Sequence, residues 1–285
     1  MRLGSHVFSS EPNASSYVGK LVEKNYKAAY CPEYLVSSTQ EREIEELKVA
    51  LTQNDIILAE VGVWCNPLSP NPEEAEKSRK YLMDRLLLAD KLEARCCVNI
   101  IGSDSKDYWY APASANFTEI FRKRSIELYQ EVIDKVRPTY TKLAFEVMPY
   151  CFLDNVEAYV EFLNDMERSE VAVHLDLVNL IHDPRTFYDH RDIFKDAVER
   201  LGDKCVSAHI KDIDLEITPP NTCLNEKTMG MGKIDLVHMA KCLDKIPGDI
   251  PVMLEHLPDE KTYDIATHNF VLAAKAAGVD LKGGF

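Results

Sequence analysis

The stretch that decides the fold is TKLAFEVMP, residues 141–149, together with two similar runs, VAVHLDLVN at 171–179 and CVSAHIKD at 205–212. Each run begins with apolar and β-branched residues, which is typical of a buried strand. Each then reaches a side chain that can bind a metal ion: Glu146, Asp176 or His209. A fourth run, DIPVMLEH at 249–256, reaches Glu255 in the same way. The repetition predicts parallel strands whose ends carry a common site.

Longer amphipathic segments separate the apolar runs along the whole chain. Strands are predicted at 2–8, 26–32, 55–64, 95–102, 141–148, 171–178, 205–213 and 249–256. Helices are predicted at 14–25, 39–52, 72–93, 116–137, 154–168, 185–201, 233–244 and 258–277. Alternating strands and helices indicate βαβ units and a parallel sheet, and this number of strands closes a barrel. We therefore predict an α/β protein with a single (β/α)8 TIM barrel, formed by one domain over residues 1–285.

An open, doubly wound sheet is the alternative fold for such a pattern. Dinucleotide-binding sheets of that kind carry a GxGxxG run after the first strand, and this chain has none there. The length of 285 residues also suits one barrel of the (β/α)8 type.

Charge and composition restrict the class of partner. The formal net charge is −14 at pH 7, which argues against nucleic acids and anionic membranes, because both attract basic surfaces. We expect a small-molecule partner, a sugar or polyol-like substrate, with no nucleic acid and no membrane. A homo-oligomer or a heteromeric partner subunit remains open.

The cysteines and the beginning of the sequence bear on the compartment. None of the 8 cysteines forms a CxxC pair, so we expect free thiols in a reducing environment. The opening residues MRLGSHVFSS lack the apolar core of a secretory signal, and no apolar run reaches the length of a membrane span. The expected location is the cytoplasm.

The four metal-type side chains suit a hard or borderline divalent ion. Glu146, Asp176 and His209 follow one another at roughly the length of a βα unit, so a closed barrel brings them together at its C-terminal rim. Two Glu, one Asp and one His favour one divalent ion per chain, Mn²⁺ first, with Mg²⁺, Co²⁺, Fe²⁺ or Zn²⁺ as alternatives. The predicted metal ligands are therefore Glu146, Asp176, His209 and Glu255.

Five short motifs carry a resemblance to a known family: FEVMP, HLDLVN, AHIKD, GMGKID and MLEH. Together they resemble the xylose-isomerase-like TIM-barrel superfamily, in particular its sugar phosphate isomerase/epimerase members. The resemblance implies a metal-dependent isomerase or epimerase. Ketose 3-epimerases of this group often have a His where this chain has Asn179 and an Arg where it has Leu215. A free-ketohexose 3-epimerase of that type is therefore disfavoured.

The expected reaction proceeds through an ene-diolate, with Glu146 and Glu255 as the catalytic carboxylates that remove and return a proton. Two alternatives use the same site: a dehydratase or β-elimination lyase acting on an inosose or a 3-oxo-glycoside, and a metal-bearing barrel that binds a sugar without turnover. The residues predicted to bind substrate are His6, Trp64, Asn66, Trp109, His174, Asn179 and Lys211.

Overall fold

The structure is a computed structural model that describes residues 1–284. Its strands, in chain order, are β1 (Arg2–Gly4), β2 (Ala28–Tyr30), β3 (Ile57–Gly62), β4 (Cys96–Asn99), β5 (Lys142–Glu146), β6 (Val171–Asp176), β7 (Cys205–Ile210), β8 (Asp212–Thr218), β9 (Asn221–Lys227) and β10 (Pro251–Leu254). All the strands except β8 and β9 form one closed barrel in the order β1-β10-β7-β6-β5-β4-β3-β2.

Parallel pairing closes the barrel between its first and last strands. Gly4 lies opposite both Ala28 of β2 and Met253 of β10. β1 therefore pairs with a strand on each side and closes the barrel. A side chain on Gly4 would not fit, because its Cβ would lie 2.5 Å from both the Ala28 carbonyl oxygen and Met253 Sδ. The predicted (β/α)8 barrel is confirmed.

Helices surround the barrel in the expected alternation. They are α1 (Ala14–Glu23), α2 (Glu41–Gln53), α3 (Pro72–Lys91), α4 (Glu119–Val136), α5 (Val156–Met166), α6 (Pro184–Tyr188), α7 (His190–Leu201), α8 (Leu236–Leu243) and α9 (Glu260–Ala277). Within residues 1–284, none of them combines the length and the apolar character that a transmembrane helix needs.

Local sequence explains where the helices begin. Asn71 caps α3 by accepting a hydrogen bond from the backbone N–H of Glu73, and Pro72 occupies the first turn, where its missing N–H costs nothing. The segment predicted as one helix at 185–201 is instead two. Asp183 caps the short α6, and the backbone leaves the helical path at Asp189 before α7 starts.

The connection after β7 is more regular than the sequence suggests. Residues 214–232 read as a long irregular loop, but β8 and β9 pair there as an antiparallel hairpin, with Leu215 opposite Leu224. The predicted strand 205–213 is correspondingly divided at Lys211, which separates barrel strand β7 from hairpin strand β8. This hairpin therefore rises directly from the strand that carries His209.

Aromatic side chains fill the layer between barrel and helices. Phe145 of β5 is fully buried and meets the ring of Tyr129 on α4 at 4.5 Å and the ring of Phe162 on α5 at 5.2 Å. The barrel interior is filled by smaller side chains, including Cys96 and Ala144. Phe145 thus packs outward while the next residue, Glu146, points into the barrel mouth, as strand alternation requires.

Replacing Phe145 with alanine should lower the free energy of unfolding by about 3–5 kcal/mol, because three helix and strand elements lose their shared aromatic contact. Denaturant titration followed by circular dichroism measures this loss. Tyr188→Ala is the control, since that side chain is 69% exposed and its loss should change stability by less than about 0.5 kcal/mol. Equal losses in the two variants would contradict the assignment of Phe145 to the core.

Candidate metal centre

The four predicted metal ligands meet at the C-terminal rim of the barrel. Ligand atoms of Glu146, Asp176, His209 and Glu255 all lie within 4.8 Å of one another, and all four residues are buried. They come from β5, β6, β7 and the end of β10, which are consecutive strands around the barrel. Asp176 lies directly opposite His209 in the sheet register, so strand pairing itself sets this proximity.

Two of the three carboxylates, those of Asp176 and Glu146, are oriented by hydrogen bonds. Asp176 Oδ1 accepts the backbone N–H groups of Val178 at 2.9 Å and Asn179 at 3.2 Å. The side-chain amide of Asn179 donates to Glu146 Oε1 at 2.7 Å. Asn179 therefore positions two ligands at once, and it also lines the cavity above them.

His209 is positioned by the carboxylate of Glu60, which was not predicted from the sequence. His209 Nε2 lies 3.0 Å from Oε1 of Glu60 on β3, while Nδ1 lies 2.8 Å from Glu255 Oε2. Because Glu60 accepts the Nε2 proton, Nδ1 is the nitrogen that faces the other ligands. The available signal for Glu60 was a charged residue inside the apolar run ILAEVG.

Polar atoms without hydrogen bonds point into the centre of the cluster. Within the described chain, Asp176 Oδ2, Glu255 Oε1 and His209 Nδ1 are buried without a hydrogen-bond partner. Such atoms are costly unless a cation or donor satisfies them. Their three sources, together with Glu146, form an oxygen-rich set with one imidazole, which fits a divalent ion such as Mn²⁺ or Mg²⁺.

The ammonium group of Lys211 lies among the same carboxylates. Lys211 Nζ is 2.8 Å from Asp176 Oδ2 and 2.8 Å from Glu255 Oε1, which are ion-pair distances without the angles of a hydrogen bond. It also lies 3.5 Å from Glu226 of strand β9. Lys211 therefore connects the barrel rim to the hairpin.

Burial and mutual charge perturb the proton affinities of the whole cluster. Burial raises the pKa of Asp176 to about 8, although the Lys211 ammonium acts to lower it. Burial also acts to raise the pKa of Glu255, but His209 and Lys211 outweigh it and hold that pKa well below its usual range. For Glu146, burial and Glu255 act upward while His209 and Lys211 bring the pKa below its usual value.

The two cationic partners respond in the opposite sense. Burial acts to lower the pKa of His209, but the carboxylates of Glu255 and Glu60 raise it well above its usual value. The pKa of Lys211 is likewise raised well above its usual value by Asp176 and Glu255, against the effect of burial. Both side chains therefore favour the protonated form in the metal-free cluster.

Two residues predicted to bind substrate occupy other positions. His174 is fully buried below the ligands, where its Nδ1 bonds with Ser207 Oγ, and burial lowers its pKa to about 4. Asn66 is also buried, and its amide donates to the Ser103 carbonyl while its oxygen accepts the Ser103 N–H. Neither residue lines the cavity above the cluster. His174 lies too deep in the barrel, and the side chain of Asn66 is turned toward the backbone of Ser103.

A cavity of about 1260 Å³ opens above the ligand cluster. The other predicted substrate-binding residues, His6, Trp64, Trp109, Asn179 and Lys211, all line it. His6 stacks on Tyr30 with ring centroids 4.1 Å apart, and the Trp64 ring lies 6.4 Å from the His209 ring. Sequence reasoning missed several further lining residues, among them Tyr30, Glu226 and His256.

The GMGKID motif supports the rim from outside. Asp212 accepts backbone hydrogen bonds from Gly230 and Gly232 at 2.9 Å each and from Ile234 at 3.2 Å. A Cβ on Gly232 would lie 2.2 Å from Asp212 Oδ1, so only glycine allows this approach. The motif thus fixes the return of the hairpin to the barrel.

Comparison with known proteins agrees with this architecture. The family model described as xylose isomerase-like TIM barrel matches residues 22–270. A search of curated proteins found no match. Among solved structures, a D-psicose 3-epimerase from Clostridium cellulolyticum H10 has a TM-score of 0.69 at 18% identity, covering 98% of this chain and 100% of its own.

Two further structures show the same fold. A xylose isomerase-like TIM barrel protein from Mycobacterium smegmatis, in complex with magnesium, has a TM-score of 0.67 at 13% identity, covering 97% of each chain. A 3-keto-D-glucoside 4-epimerase from E. coli has a TM-score of 0.67 at 12% identity, covering 96% of this chain and 99% of its own. On the match of its family model, the chain belongs to the xylose isomerase-like TIM barrel family.

Proposed function

We propose that this protein is a divalent-metal-dependent isomerase or epimerase that acts on a sugar or polyol-like substrate through an ene-diolate. The observation that carries the proposal is the meeting of four buried ligand residues, whose ligand atoms lie within 4.8 Å of one another, at the base of a large cavity. That chemistry needs a cation beside two carboxylates, which is what this rim offers.

The metal would be held by Glu146, Asp176, His209 and Glu255, with Mn²⁺ preferred because the donors are mostly oxygen. When bound, a divalent ion supplies Lewis acidity that polarises a substrate carbonyl and stabilises negative charge on its oxygen. The side chains of the protein then have to orient the substrate and move protons.

Glu146 and Glu255 are the proposed proton carriers. They stand on β5 and at the end of β10, with β6 and β7 between them, so they reach the cavity from two sides. Asn179 occupies Glu146 Oε1, which leaves Oε2 to take the proton from the carbon beside the carbonyl. The low pKa of both carboxylates keeps them unprotonated before substrate arrives. Glu255 therefore takes up a proton from solvent in the open cavity and returns it to that carbon or its neighbour, while Glu146 releases the abstracted proton to solvent.

Lys211 is the proposed donor to a substrate oxygen. Its raised pKa keeps the ammonium charged, and it lines the cavity while touching two ligand carboxylates. His6 and Trp64 form the neighbouring wall, where an apolar sugar face can pack. The similar solved structures support a sugar substrate, since they include a D-psicose 3-epimerase and a 3-keto-D-glucoside 4-epimerase.

The direct test is a metal-supplemented screen of ketoses, inososes and 3-oxo-glycosides, with products separated by chromatography and weighed by mass spectrometry. We expect an isomer of unchanged mass, formed only when the metal is present. Loss of water or of an aglycone would instead identify a dehydratase or lyase. Metal-dependent binding without any product would identify a non-catalytic barrel.

Metal binding should strengthen as the pH rises toward about 8. Below that value Asp176 carries a proton, because its pKa is raised to about 8, and the proton must leave before the oxygen can bind a cation. The dissociation constant for Mg²⁺, measured by calorimetry, should fall by about tenfold per pH unit for each proton released between pH 6 and 8. A dissociation constant independent of pH over this range would contradict the assignment of Asp176 as a ligand.

Replacing Glu60 with glutamine should weaken metal binding by about tenfold, and replacement with leucine by up to about a hundredfold. Glutamine keeps an oxygen for the His209 Nε2 proton but removes the charge, whereas leucine removes both. The measurement is Mn²⁺ titration by calorimetry or electron paramagnetic resonance. Glu226→Gln is the control, because it removes a carboxylate from the same cavity without contacting His209. Equal effects of Glu60→Gln and Glu226→Gln would show that only total charge matters.

Glu146→Gln and Glu255→Gln should each lower turnover by at least about 10², since general bases contribute 10² to 10⁴ in rate. Metal content is measured in every variant by elemental analysis, because both residues are also proposed ligands. Glu161→Gln, an exposed carboxylate on α5, is the control and should leave turnover unchanged. Full turnover with metal bound in either variant would exclude that residue as a proton carrier.

A further inference from the structure

The cavity above the cluster has two chemically different parts. Its base is charged and contains Glu146, His209, Lys211, Glu226 and Glu255. Its other side is apolar, and the residues that form it are Ile100, Trp109, Tyr110, Pro112, Met148, Pro149, Tyr150, Val178 and Ile181. A ligand that fills both parts has to combine a polar end with an apolar one.

Three aromatic residues, Trp109, Tyr110 and Tyr150, form what we call the aromatic vestibule. Trp109 and Tyr110 lie on the segment after β4, and Tyr150 follows β5, so the vestibule is built from loops at the C-terminal rim. Tyr110 and Tyr150 are nearly parallel, with an interplanar angle of 22° and ring centroids 6.0 Å apart. The Trp109 ring meets Tyr110 edge-on at 4.8 Å. All three side chains are only partly buried.

The size of the cavity exceeds what one sugar ring requires. Its volume of about 1260 Å³ is above the range of roughly 300–1,000 Å³ that is usual for drug-sized ligands, and a single hexose is smaller than those ligands. A single ring bound at the metal ligands would fill only part of this volume, which Trp109, Tyr110 and Tyr150 also line. The vestibule therefore has room for a second ring.

Charge in the cavity disfavours a phosphorylated substrate. Arg85 and Lys211 are the only Arg or Lys among the described residues that line it. Arg85 donates to the carbonyl oxygens of Gly62 and Leu35, and Lys211 is surrounded by carboxylates. Arg85 is thus committed to backbone carbonyls, and the single charge of Lys211 is already balanced by several carboxylates, while Glu33 and Asp154 also line the cavity. Lys211 can donate a hydrogen bond to a neutral substrate oxygen, but a phosphate group needs a surplus of positive charge, which this lining does not supply.

We propose that the substrate is a neutral, unphosphorylated glycoside whose sugar ring carries a carbonyl group. That ring sits over the metal ligands, and the second ring of the glycoside packs in the aromatic vestibule. The second ring presents a flat apolar face, which either an aryl group or the C–H face of another sugar provides. The inference rests on the proposed sugar chemistry at the same site and adds the substrate class to it.

The test is calorimetric binding to the metal-loaded protein, using matched methyl and phenyl β-glycosides of glucose, galactose, mannose and xylose. In at least one pair the phenyl glycoside should bind about tenfold or more tightly than the methyl glycoside. Cellobiose, compared with methyl β-D-glucopyranoside, distinguishes a sugar ring from an aryl ring as the occupant. Glucose 6-phosphate should bind no more tightly than glucose.

Tyr150→Ala and Trp109→Ala should bring the ratio of phenyl to methyl affinity close to one. Trp109→Phe, which keeps a ring, should retain most of the preference, and Tyr140→Ala, an exposed tyrosine outside the cavity lining, should retain all of it. Mn²⁺ affinity is measured in each variant to verify that the fold and the ligand cluster persist.

Failure of this inference and failure of the proposed function give different results. The inference is overturned if no phenyl glycoside binds more tightly than its methyl partner and cellobiose binds no more tightly than methyl β-D-glucopyranoside. Tighter binding of glucose 6-phosphate than of glucose overturns it as well. Metal-dependent isomerisation of a free monosaccharide would nevertheless leave the proposed function intact. Conversely, a phenyl preference that Tyr150→Ala removes, without any isomerised product, supports the vestibule and contradicts the proposed reaction.

Discussion

Burial of negative charge at the rim of the barrel governs the arrangement around it. Glu146, Asp176 and Glu255 bring three carboxylates within 4.8 Å of one another and of His209, and unpaired carboxylates are costly in a protein interior. The cluster responds by raising the pKa of His209 and Lys211 and by protonating Asp176 up to about pH 8. A site that retains positive charge in this way could hold a divalent cation in place of the protons and the ammonium group.

The barrel and the meeting of the four rim residues could be predicted from the sequence, because both depend on local patterns. Apolar runs at βα spacing predict parallel strands, and a closed barrel puts their carboxyl ends on one rim. The strand order and the pairing of Asp176 with His209 confirm this. Glu60 could not be assigned in the same way. Its partner His209 is 149 positions away and lies across the barrel, and a single charged residue within a strand is equally consistent with an ion pair.

The sequence pattern also did not indicate how deeply each side chain lies in the barrel. His174 and Asp176 point to the same face of β6. His174 comes two residues earlier, however, so it lies deeper in the barrel, where it contacts Ser207. Asn66 is near Trp64 in sequence, but its amide anchors the segment at Ser103. The hairpin of β8 and β9 was also missed. Apolar and acidic residues alternate in β8, but β9 is mostly polar and exposed, so no second strand pattern follows it in the sequence.

The molecule separates the groups suited to chemistry from the groups suited to recognition. Strand register and buried partners such as Glu60 fix the positions of the ligand residues. The geometry of the cluster therefore depends on the barrel strands. Trp109 and Tyr150 instead stand on rim loops, where substitutions disturb few strand contacts. Lys211 joins the ligand cluster to the hairpin, since it contacts ligand carboxylates on one side and Glu226 of β9 on the other. Under the proposed function, a change in the loops that carry Trp109 and Tyr150 would alter which second ring is accepted without disturbing the strands that hold the ligand cluster.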